Sequence, residues 1–246
     1  MFLRVESLTK HFGGLSAISE VNFELSEGDI LGVMGPNGAG KTTLINLLSG
    51  FLMPDEGNIF LGGENLVGLK PHRIVQKGIA RTFQQVRKFS NLTVFENLKV
   101  ACKVEGASEK DLFPGSTEKR ILEILKFVNL YRKRDVVSTS LPFDDLKRLE
   151  IGRALATSPV LLMLDEPVSG LTLEETDGFI DLIRKINSYG VTIIVIEHVM
   201  RALMNISRRI IVLDGGRKIS EGTPKEVSRD QKVIEVYLGE MAERYA

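Results

Sequence analysis

A glycine-rich loop between an apolar run and a helical pattern constrains the fold of this 246-residue chain most strongly. The run Ile30 to Met34 has the length of a buried strand, and the loop after it, residues 35–43, reads GPNGAGKTT. This matches the phosphate-loop pattern G-x-x-x-x-G-K-S/T, and leucines at helical spacing follow it, as the pattern requires. The sequence therefore predicts an α/β fold in which a strand, a loop and a helix together form a phosphate site.

The chemistry of the loop is suited to a nucleotide phosphate. Its glycines let successive N–H groups converge on one concavity, and the helix expected to begin near Thr42 adds the field of its positive end. Lys41 is predicted to bridge the β- and γ-phosphates, and the Thr42 hydroxyl to ligate Mg²⁺. A glycine-rich turn with a surface lysine is the alternative. The loop residues predicted to contact the nucleotide are Gly35, Asn37, Gly38, Gly40, Lys41, Thr42 and Thr43.

A second apolar run, Val160 to Leu164, ends in two adjacent acids, Asp165 and Glu166. At the carboxyl end of a strand in a parallel sheet, both acids lie at the edge that also carries the phosphate loop. Because side chains alternate along a strand, one acid can approach a metal ion while the other faces a water molecule. We predict that Asp165 is a metal ligand and that Glu166 is the general base. The alternative is that two acids simply end a strand in solvent.

Other apolar runs of strand length support a layered sheet. They lie at Val21 to Leu25, Val191 to Ile196 and Ile210 to Leu213. The continuous runs next to Asp165 and Glu197 predict parallel strands that are covered on both faces. By contrast, Leu3 to Leu8 and Asn58 to Leu61 alternate and carry charge, which predicts an antiparallel flank.

The middle of the chain has a different pattern, with helical spacing from about Thr93 to Thr157 and no expected strand. The predicted organisation is a single domain over residues 1–246. Within it, a catalytic core lobe comprises residues 1–92 and 158–246, and a helical lobe comprises residues 93–157. Residues 104–116, which are rich in turn formers, are predicted to be the most mobile loop.

Composition limits the classes of partner. Lysine plus arginine and aspartate plus glutamate number 32 each, so the formal net charge is zero. No global field is therefore expected to attract nucleic acid. The N-terminal residues offer no long apolar run, so neither a secretory signal nor a transmembrane anchor is expected. The single cysteine, Cys102, fits a reducing cytoplasm. Any role at a membrane is expected to require another chain that spans it.

These residues together resemble the ABC ATPase family over essentially the whole chain. The resemblance is carried by the phosphate loop, the strand that ends at Glu166, Gln84 in RTFQQ, and His198 after IIVIE. More narrowly, the segments GIARTFQ, LTVFENL and IEHVM resemble the ATP-binding subunits of branched-chain amino acid importers. The resemblance implies a P-loop NTPase core of ABC type with an antiparallel β flank and a helical subdomain.

The resemblance also implies roles for three further residues. In the family, a glutamine in the loop that joins the lobes senses Mg²⁺ and the attacking water, so Gln84 is expected to be both a metal ligand and a catalytic residue. The family's switch histidine contacts the γ-phosphate, and His198 occupies that position. An aromatic residue after the first strand stacks on adenine, and Phe12 matches it, with ordinary packing as the alternative.

Two segments depart from the family pattern. ABC domains pair so that a signature resembling LSGGQ, or LPYGDQ in the subgroup, closes over the nucleotide of the other subunit. Here residues 141–146 read LPFDDL, so Asp144 replaces the glycine. Asp144 is predicted to cap a helix over residues 145–157 and to repel the partner's γ-phosphate. Thr172 stands where the family has an aspartate that crosses the dimer interface.

The resemblance implies an ATP-hydrolysing subunit that uses Mg²⁺ and powers an importer, with branched-chain or related amino acids as the expected cargo. Its expected partners are a second ABC ATPase subunit, in a homo- or heterodimer, and transmembrane permease subunits that dock near the Gln84 loop. Its expected location is the cytoplasm, peripheral on the inner face of the cell membrane. Two alternatives stay open: a regulatory or degenerate-site ABC subunit with little hydrolysis of its own, and a soluble ABC ATPase without a transport role.

Overall fold

The computed structural model describes residues 2–84, 87–102 and 112–237. The predicted mobile loop lies outside the described residues as far as residue 111. The strands are β1 Leu3–Phe12, β2 Leu15–Leu25, β3 Ile30–Met34, β4 Glu56–Leu61, β5 Glu64–Asn65, β6 Ile79–Arg81, β7 Leu161–Asp165, β8 Thr192–Ile196, β9 Arg209–Asp214 and β10 Arg217–Gly222. The helices are α1 Lys41–Leu48, α2 Pro71–Gln76, α3 Val94–Ala101, α4 Thr117–Phe127, α5 Phe143–Leu155, α6 Leu173–Ser188, α7 Met200–Ile206 and α8 Pro224–Val227, and residues 231–237 are also helical.

The larger sheet in the described part of the chain has the strand order β10-β9-β3-β8-β7-β6. Its strands are parallel except for β10, which pairs antiparallel with β9. Every residue of β3, β7 and β8 is buried, as expected for parallel strands that are covered on both faces. The strand predicted over Ile30 to Met34 is confirmed residue for residue. Those predicted over Val160 to Leu164, Val191 to Ile196 and Ile210 to Leu213 are confirmed to within one residue at each end, whereas Val21 to Leu25 is the end of the longer, antiparallel strand β2.

The smaller sheet is antiparallel and has the order β2-β1-β4-β5. Strand β1 pairs with β2 on one side and with β4 on the other. This confirms the antiparallel flank predicted from the alternating patterns of Leu3 to Leu8 and Asn58 to Leu61. Through β2 the flank lies against both α1 and β10.

Alternate residues of β3 divide the core into two layers. Leu31 and Val33 belong to a cluster with the antiparallel sheet and α1. Ile30 and Met34 belong to a second cluster, which contains α6, α7 and the helices of the middle segment. Because side chains alternate on a strand, this one short run joins both layers.

The middle segment is helical, as predicted. In its described residues, 93–102 and 112–157, the sole β pairing is an isolated bridge between Thr93 and Val137. Helix α3 begins with a capping box, in which Thr93 accepts from the Glu96 N–H and the Glu96 side chain accepts from the Thr93 N–H. None of the helices in the described ranges is both long and apolar enough to cross a bilayer.

The predicted start of α5 is wrong. The helix begins at Phe143 and ends at Leu155, its N-cap is Pro142, and no side chain caps it. Proline has a fixed φ and no N–H to lose, which suits the position where a helix begins. Asp144 therefore lies inside the first turn instead of capping it, and its carboxylate lies 4.0 Å from the Arg148 guanidinium.

Candidate active site

Apart from Phe12, the predicted functional residues come from the carboxyl ends of four adjacent parallel strands, β3, β8, β7 and β6. Strand β3 leads into the phosphate loop, and β8 leads to His198. Strand β7 ends in Asp165 and leads to Glu166, and β6 leads to Gln84. Neighbouring parallel strands present these ends at one edge, so the predicted residues are brought to the same side of the sheet.

Close backbone contacts require glycine at two positions of the phosphate loop. Gly35 has a φ of 152°, and a Cβ there would lie 2.1 Å from the Leu213 carbonyl oxygen. Gly40 has a φ of 100°, and a Cβ there would lie 2.5 Å from the Ala17 carbonyl oxygen. The loop is therefore pressed against both sheets, and Thr42 and Thr43 follow in the first turn of α1.

Lys41 is held inside the phosphate loop. Its side chain is buried, with the residue only 8% exposed, and Nζ donates to the carbonyl oxygens of Gly35 at 2.6 Å and Pro36 at 2.8 Å. Both acceptors belong to the loop itself. The ammonium group therefore already lies where the loop would surround a phosphate group.

Glu166 brings the predicted catalytic residues together. Its Oε2 accepts from Gln84 Nε2 at 3.1 Å, and its Oε1 lies 3.7 Å from His198 Nδ1. Gln84 and Glu166 are separated by 82 residues in the chain, so this contact depends on β6 lying beside β7. One carboxylate is thus shared by the amide and the imidazole that the sequence singled out.

Asp165 is buried beside a positive charge that the sequence analysis did not assign. Its carboxylate lies 3.5 Å from the Arg81 guanidinium. Burial raises the pKa of Asp165, while Arg81 and Lys41 act to lower it. Arg81 also donates to Asn46 at 2.7 Å and Ser49 at 2.9 Å, which ties the metal-ligand candidate to the region of α1. The available signal in the sequence was Arg81 itself, a charged residue directly after the short apolar stretch of the GIAR segment.

Glu197 was also missed, although it directly precedes His198. It is fully buried, and its carboxylate accepts from the backbone N–H groups of Val168 at 2.8 Å, His198 at 3.1 Å and Val199 at 3.3 Å. Burial raises the pKa of Glu197, and the hydrogen bonds from the Val168 and Val199 N–H groups act to lower it. Glu197 therefore joins the turn after β7 to the turn after β8, and it fixes the backbone that carries His198.

Phe12 lies on a hairpin that contacts the phosphate loop. It ends β1, is 47% exposed, and is paired with Leu15 across the turn. Farther along β2, the Ala17 carbonyl is the group that makes glycine necessary at position 40. Phe12 thus offers an exposed aromatic ring on the hairpin whose Ala17 carbonyl lies against the loop.

A groove of about 420 Å³ lies beside the segment that leads to Gln84. At its wall, the Glu150 carboxylate accepts from the Phe83 N–H at 3.0 Å, and burial raises the pKa of Glu150 to about 7. The exposed or partly exposed side chains that line the groove include Phe51, Phe83, Arg87, Phe89, Val100 and Arg153. The groove is therefore aromatic and net positive.

Comparisons with known families agree with this geometry. The family model described as "ABC transporter" matches residues 18–169, which include the phosphate loop, Gln84 and Glu166. A second model, described as "Branched-chain amino acid ATP-binding cassette transporter", matches residues 217–243.

Curated relatives extend over nearly the whole chain. The high-affinity branched-chain amino acid transport ATP-binding protein BraF of Pseudomonas aeruginosa is 41% identical and aligns with 97% of this chain and 98% of its own length. The probable branched-chain amino acid transport ATP-binding protein LivG of Archaeoglobus fulgidus is 35% identical, with coverage of 96% and 95%.

Solved structures share the fold. The ADP conformation of MJ1267, an ATP-binding cassette of an ABC transporter, superposes with a TM-score of 0.87 at 32% identity and covers 97% of this chain and 98% of its own. The dimeric structure of MJ0796, a bacterial ABC transporter cassette, superposes with a TM-score of 0.79 at 26% identity, with coverage of 90% and 98%. Sequence, family models and fold thus agree: this chain belongs to the ABC transporter family and is an ATP-binding cassette, the part of such a transporter that hydrolyses ATP.

Proposed function

We propose that this cassette binds Mg-ATP at the edge formed by β3, β8, β7 and β6 and hydrolyses it to power a membrane importer of branched-chain or related amino acids. The convergence of Gln84 and His198 on Glu166 carries the catalytic part of the proposal. The names of the curated relatives support the cargo, and nothing in the comparisons favours the regulatory or the soluble, non-transport alternative.

Binding is assigned to the phosphate loop and its surroundings. Lys41 exchanges its loop carbonyl partners for phosphate oxygens, and Phe12 stacks on the adenine. The other nucleotide contacts are assigned to Gly35, Asn37, Gly38, Gly40, Thr42 and Thr43. The residues that would hold Mg²⁺ are Thr42, Gln84 and Asp165, and their hydroxyl, amide and carboxylate oxygens are the hard ligands that this ion prefers. When bound, the ion would neutralise charge on the phosphate oxygens.

Hydrolysis is assigned to the residues around one carboxylate. Glu166 accepts the proton of the attacking water, Gln84 orients that water, and His198 contacts the γ-phosphate. Arg81 keeps Asp165 close to α1 and opposes the effect of burial on its charge. We assign the catalytic core lobe to residues 1–92 and 158–246, and the helical lobe to residues 93–157.

The permease subunits are proposed to dock in the groove beside the Gln84 segment, which would place the cassette in the cytoplasm on the inner face of the membrane. An apolar helix end suits the aromatic wall, and its carboxylates suit Arg87 and Arg153. The Phe83 N–H bonded to Glu150 connects this wall directly to the residue before Gln84. A docked helix would thus contact the loop that carries a catalytic residue.

A second cassette is proposed to complete the nucleotide site. The first turn of α5 is where the signature of one cassette would meet the γ-phosphate bound to the other. Here Asp144 stands in that turn, with Arg148 as a partial counter-charge. Two unit charges about 5 Å apart at an effective dielectric near 20 interact by roughly 3 kcal/mol. Self-pairing of this chain is therefore expected to be weak.

Replacing Lys41 with alanine should weaken ATP binding about 10- to 100-fold, because charge-assisted hydrogen bonds to phosphate contribute about 1.5–3 kcal/mol. Equilibrium titration with a fluorescent ATP analogue measures this, with the melting temperature recorded alongside. Lys77→Ala, which removes an exposed lysine paired with Glu64, is the control and should bind normally. Unchanged ATP affinity in Lys41→Ala would show that the phosphate groups do not bind at this loop.

Replacing Glu166 with glutamine should slow hydrolysis by about 10²-fold or more while ATP affinity stays the same, which is the usual effect of removing a general base. Glutamine preserves the shape of the side chain and an oxygen for the Gln84 amide. Single-turnover hydrolysis is the measurement, and Glu56→Gln, at the exposed first residue of β4, is the control. A normal rate in Glu166→Gln would assign the base to another group.

Val100→Lys should reduce recovery of the membrane subunits at least tenfold when the cassette is purified from cells that co-express them. Val100 is 42% exposed on the groove wall, and a lysine there places a charge against a docked apolar helix. A cation near the C-terminus of α3 is compatible with the helix dipole. ATP affinity monitors folding, and Ile234→Lys, at another exposed apolar side chain, is the control. Full recovery of the membrane subunits with Val100→Lys would exclude this groove as the docking site.

Asp144→Gly and Asp144→Asn should both strengthen ATP-dependent self-association, by about 10- to 100-fold if a penalty near 3 kcal/mol is partly offset by Arg148. Sedimentation in the Glu166→Gln background, with and without ATP, measures the dimer. Equal gains in the two variants indicate that charge is the obstacle, whereas a gain with glycine alone indicates that the side chain blocks close approach. No gain in either variant would place Asp144 outside the composite site.

A further inference from the structure

A buried lysine of α5 contacts the backbone of the general base. Lys147 is 6% exposed, and its Nζ donates to the Glu166 carbonyl oxygen at 2.8 Å. The same oxygen accepts from the Ser169 N–H at 3.3 Å. No motif in the sequence marks Lys147, and the contact joins residues 19 positions apart on different elements.

Burying this ammonium group is unfavourable by itself. Burial lowers the pKa of Lys147, and the surrounding carboxylates of Glu197, Glu150 and Glu166 act in the opposite direction. A lysine that only stabilised the fold could be replaced by an apolar side chain of similar length at little cost. The specific acceptor of its hydrogen bond is therefore the informative feature.

That acceptor belongs to a residue with an unusual backbone conformation. Glu166 has a φ of 49°, in the left-handed region that residues other than glycine rarely adopt. Its N–H donates to the Ile196 carbonyl at 2.9 Å, and its carbonyl accepts from Lys147. These two hydrogen bonds hold the backbone on both sides of the Glu166 Cα. In this conformation the side chain directs its carboxylate between Gln84 and His198.

The same lysine also reaches the start of α5. Its Nζ lies 5.3 Å from the centre of the Phe143 ring, and Phe143 is the first residue of the helix. The Phe143 ring packs over Gly170, where an added Cβ would lie 3.2 Å from the ring. Phe143 is itself 49% exposed, in the segment that would meet a second cassette. A contact path therefore connects this exposed surface to Glu166.

We propose that Lys147 is a positioning residue for hydrolysis. It holds the Glu166 backbone so that the carboxylate stays between Gln84 and His198, and it links that geometry to the first turn of α5. When a second cassette contacts this turn, Lys147 then transmits the contact to the position of the Glu166 carboxylate. The inference rests on the proposed role of Glu166 as the general base.

The test compares Lys147→Met with Lys147→Arg in full-length protein. Loss of a positioning contact should lower kcat about 10- to 100-fold in the methionine variant, since a displacement of about 1 Å can cost 10²-fold. KM and the ATP dissociation constant should stay within about twofold. Arginine keeps the cation and the N–H donors, so it should recover kcat to within about fivefold of the original protein. If Lys147→Met does not fold, Lys147→Gln, which is too short to reach the carbonyl, should show the same loss.

Arg120→Met is the matched control, because the Arg120 guanidinium also donates to a backbone carbonyl, that of Ala156 at the C-terminal end of α5, but does not bond to Glu166. It should leave kcat within about twofold. An equal loss of kcat in Arg120→Met would mean that any disturbance of α5 suffices, and that result would overturn the proposal. Normal kcat in Lys147→Met would overturn it as well.

A double variant separates this proposal from the assignment of the base. If Lys147 acts through Glu166, adding Lys147→Met to Glu166→Gln should produce no further loss of hydrolysis. A further loss equal to that of the single variant would show that Lys147 acts elsewhere. A normal rate in Glu166→Gln alone is a different failure, since it rejects the proposed base, whereas a slow Glu166→Gln with a normal Lys147→Met rejects only the role of the lysine.

Discussion

Parallel pairing of β3, β8, β7 and β6 is the constraint on which the site depends. The register places Asp165 opposite Ile196, and Val33 opposite the same residue on the other side of β8. The residues that follow these positions therefore emerge at one level. Both faces of β7 and β8 are buried in apolar layers. A shift of one residue in the pairing register would move the Asp165 side chain to the opposite face, into an apolar layer. The packing of the apolar core therefore fixes the position of the acids.

The polar groups at this edge form most of their hydrogen bonds and ion pairs with one another. Arg81 faces Asp165, Lys147 holds the Glu166 carbonyl, and Glu197 collects three backbone N–H groups. A buried charge without such partners would cost several kcal/mol, so each group limits the freedom of its neighbours. That mutual restraint allows Glu166 to keep a left-handed backbone that an isolated strand end would not adopt. The geometry of the site is thus a property of the whole network.

Sequence predicted the elements better than the contacts between them. Ile30 to Met34 carries a continuous apolar signal and was located exactly, whereas β6 is three residues long, ends in a charge and was not predicted. The start of α5 was misplaced because Asp144 suggested an N-cap, whereas Pro142 is the N-cap and the helix begins at Phe143. The partners of Lys147 and Glu197 lie on other elements, and a periodic pattern describes only the element that contains it. Such contacts become visible only when strand order and register are known.

The two faces that this cassette would present to a partner differ in chemistry. On one face, the phosphate loop and the residues around Glu166 follow the family pattern. On the other, Asp144 lies near Arg148, and Asp145 is paired with Lys133, so the first turn of α5 already contains anions bound to its own cations. A helix start that carries its own carboxylates is a poorer anion site than one with open N–H groups, since like charge opposes the field of the helix. If cassettes pair as proposed above, we therefore expect this chain to hold and hydrolyse its own nucleotide better than it completes the site of the other. On the same proposal, we expect a partner with an open signature turn to complement it better than a second copy does.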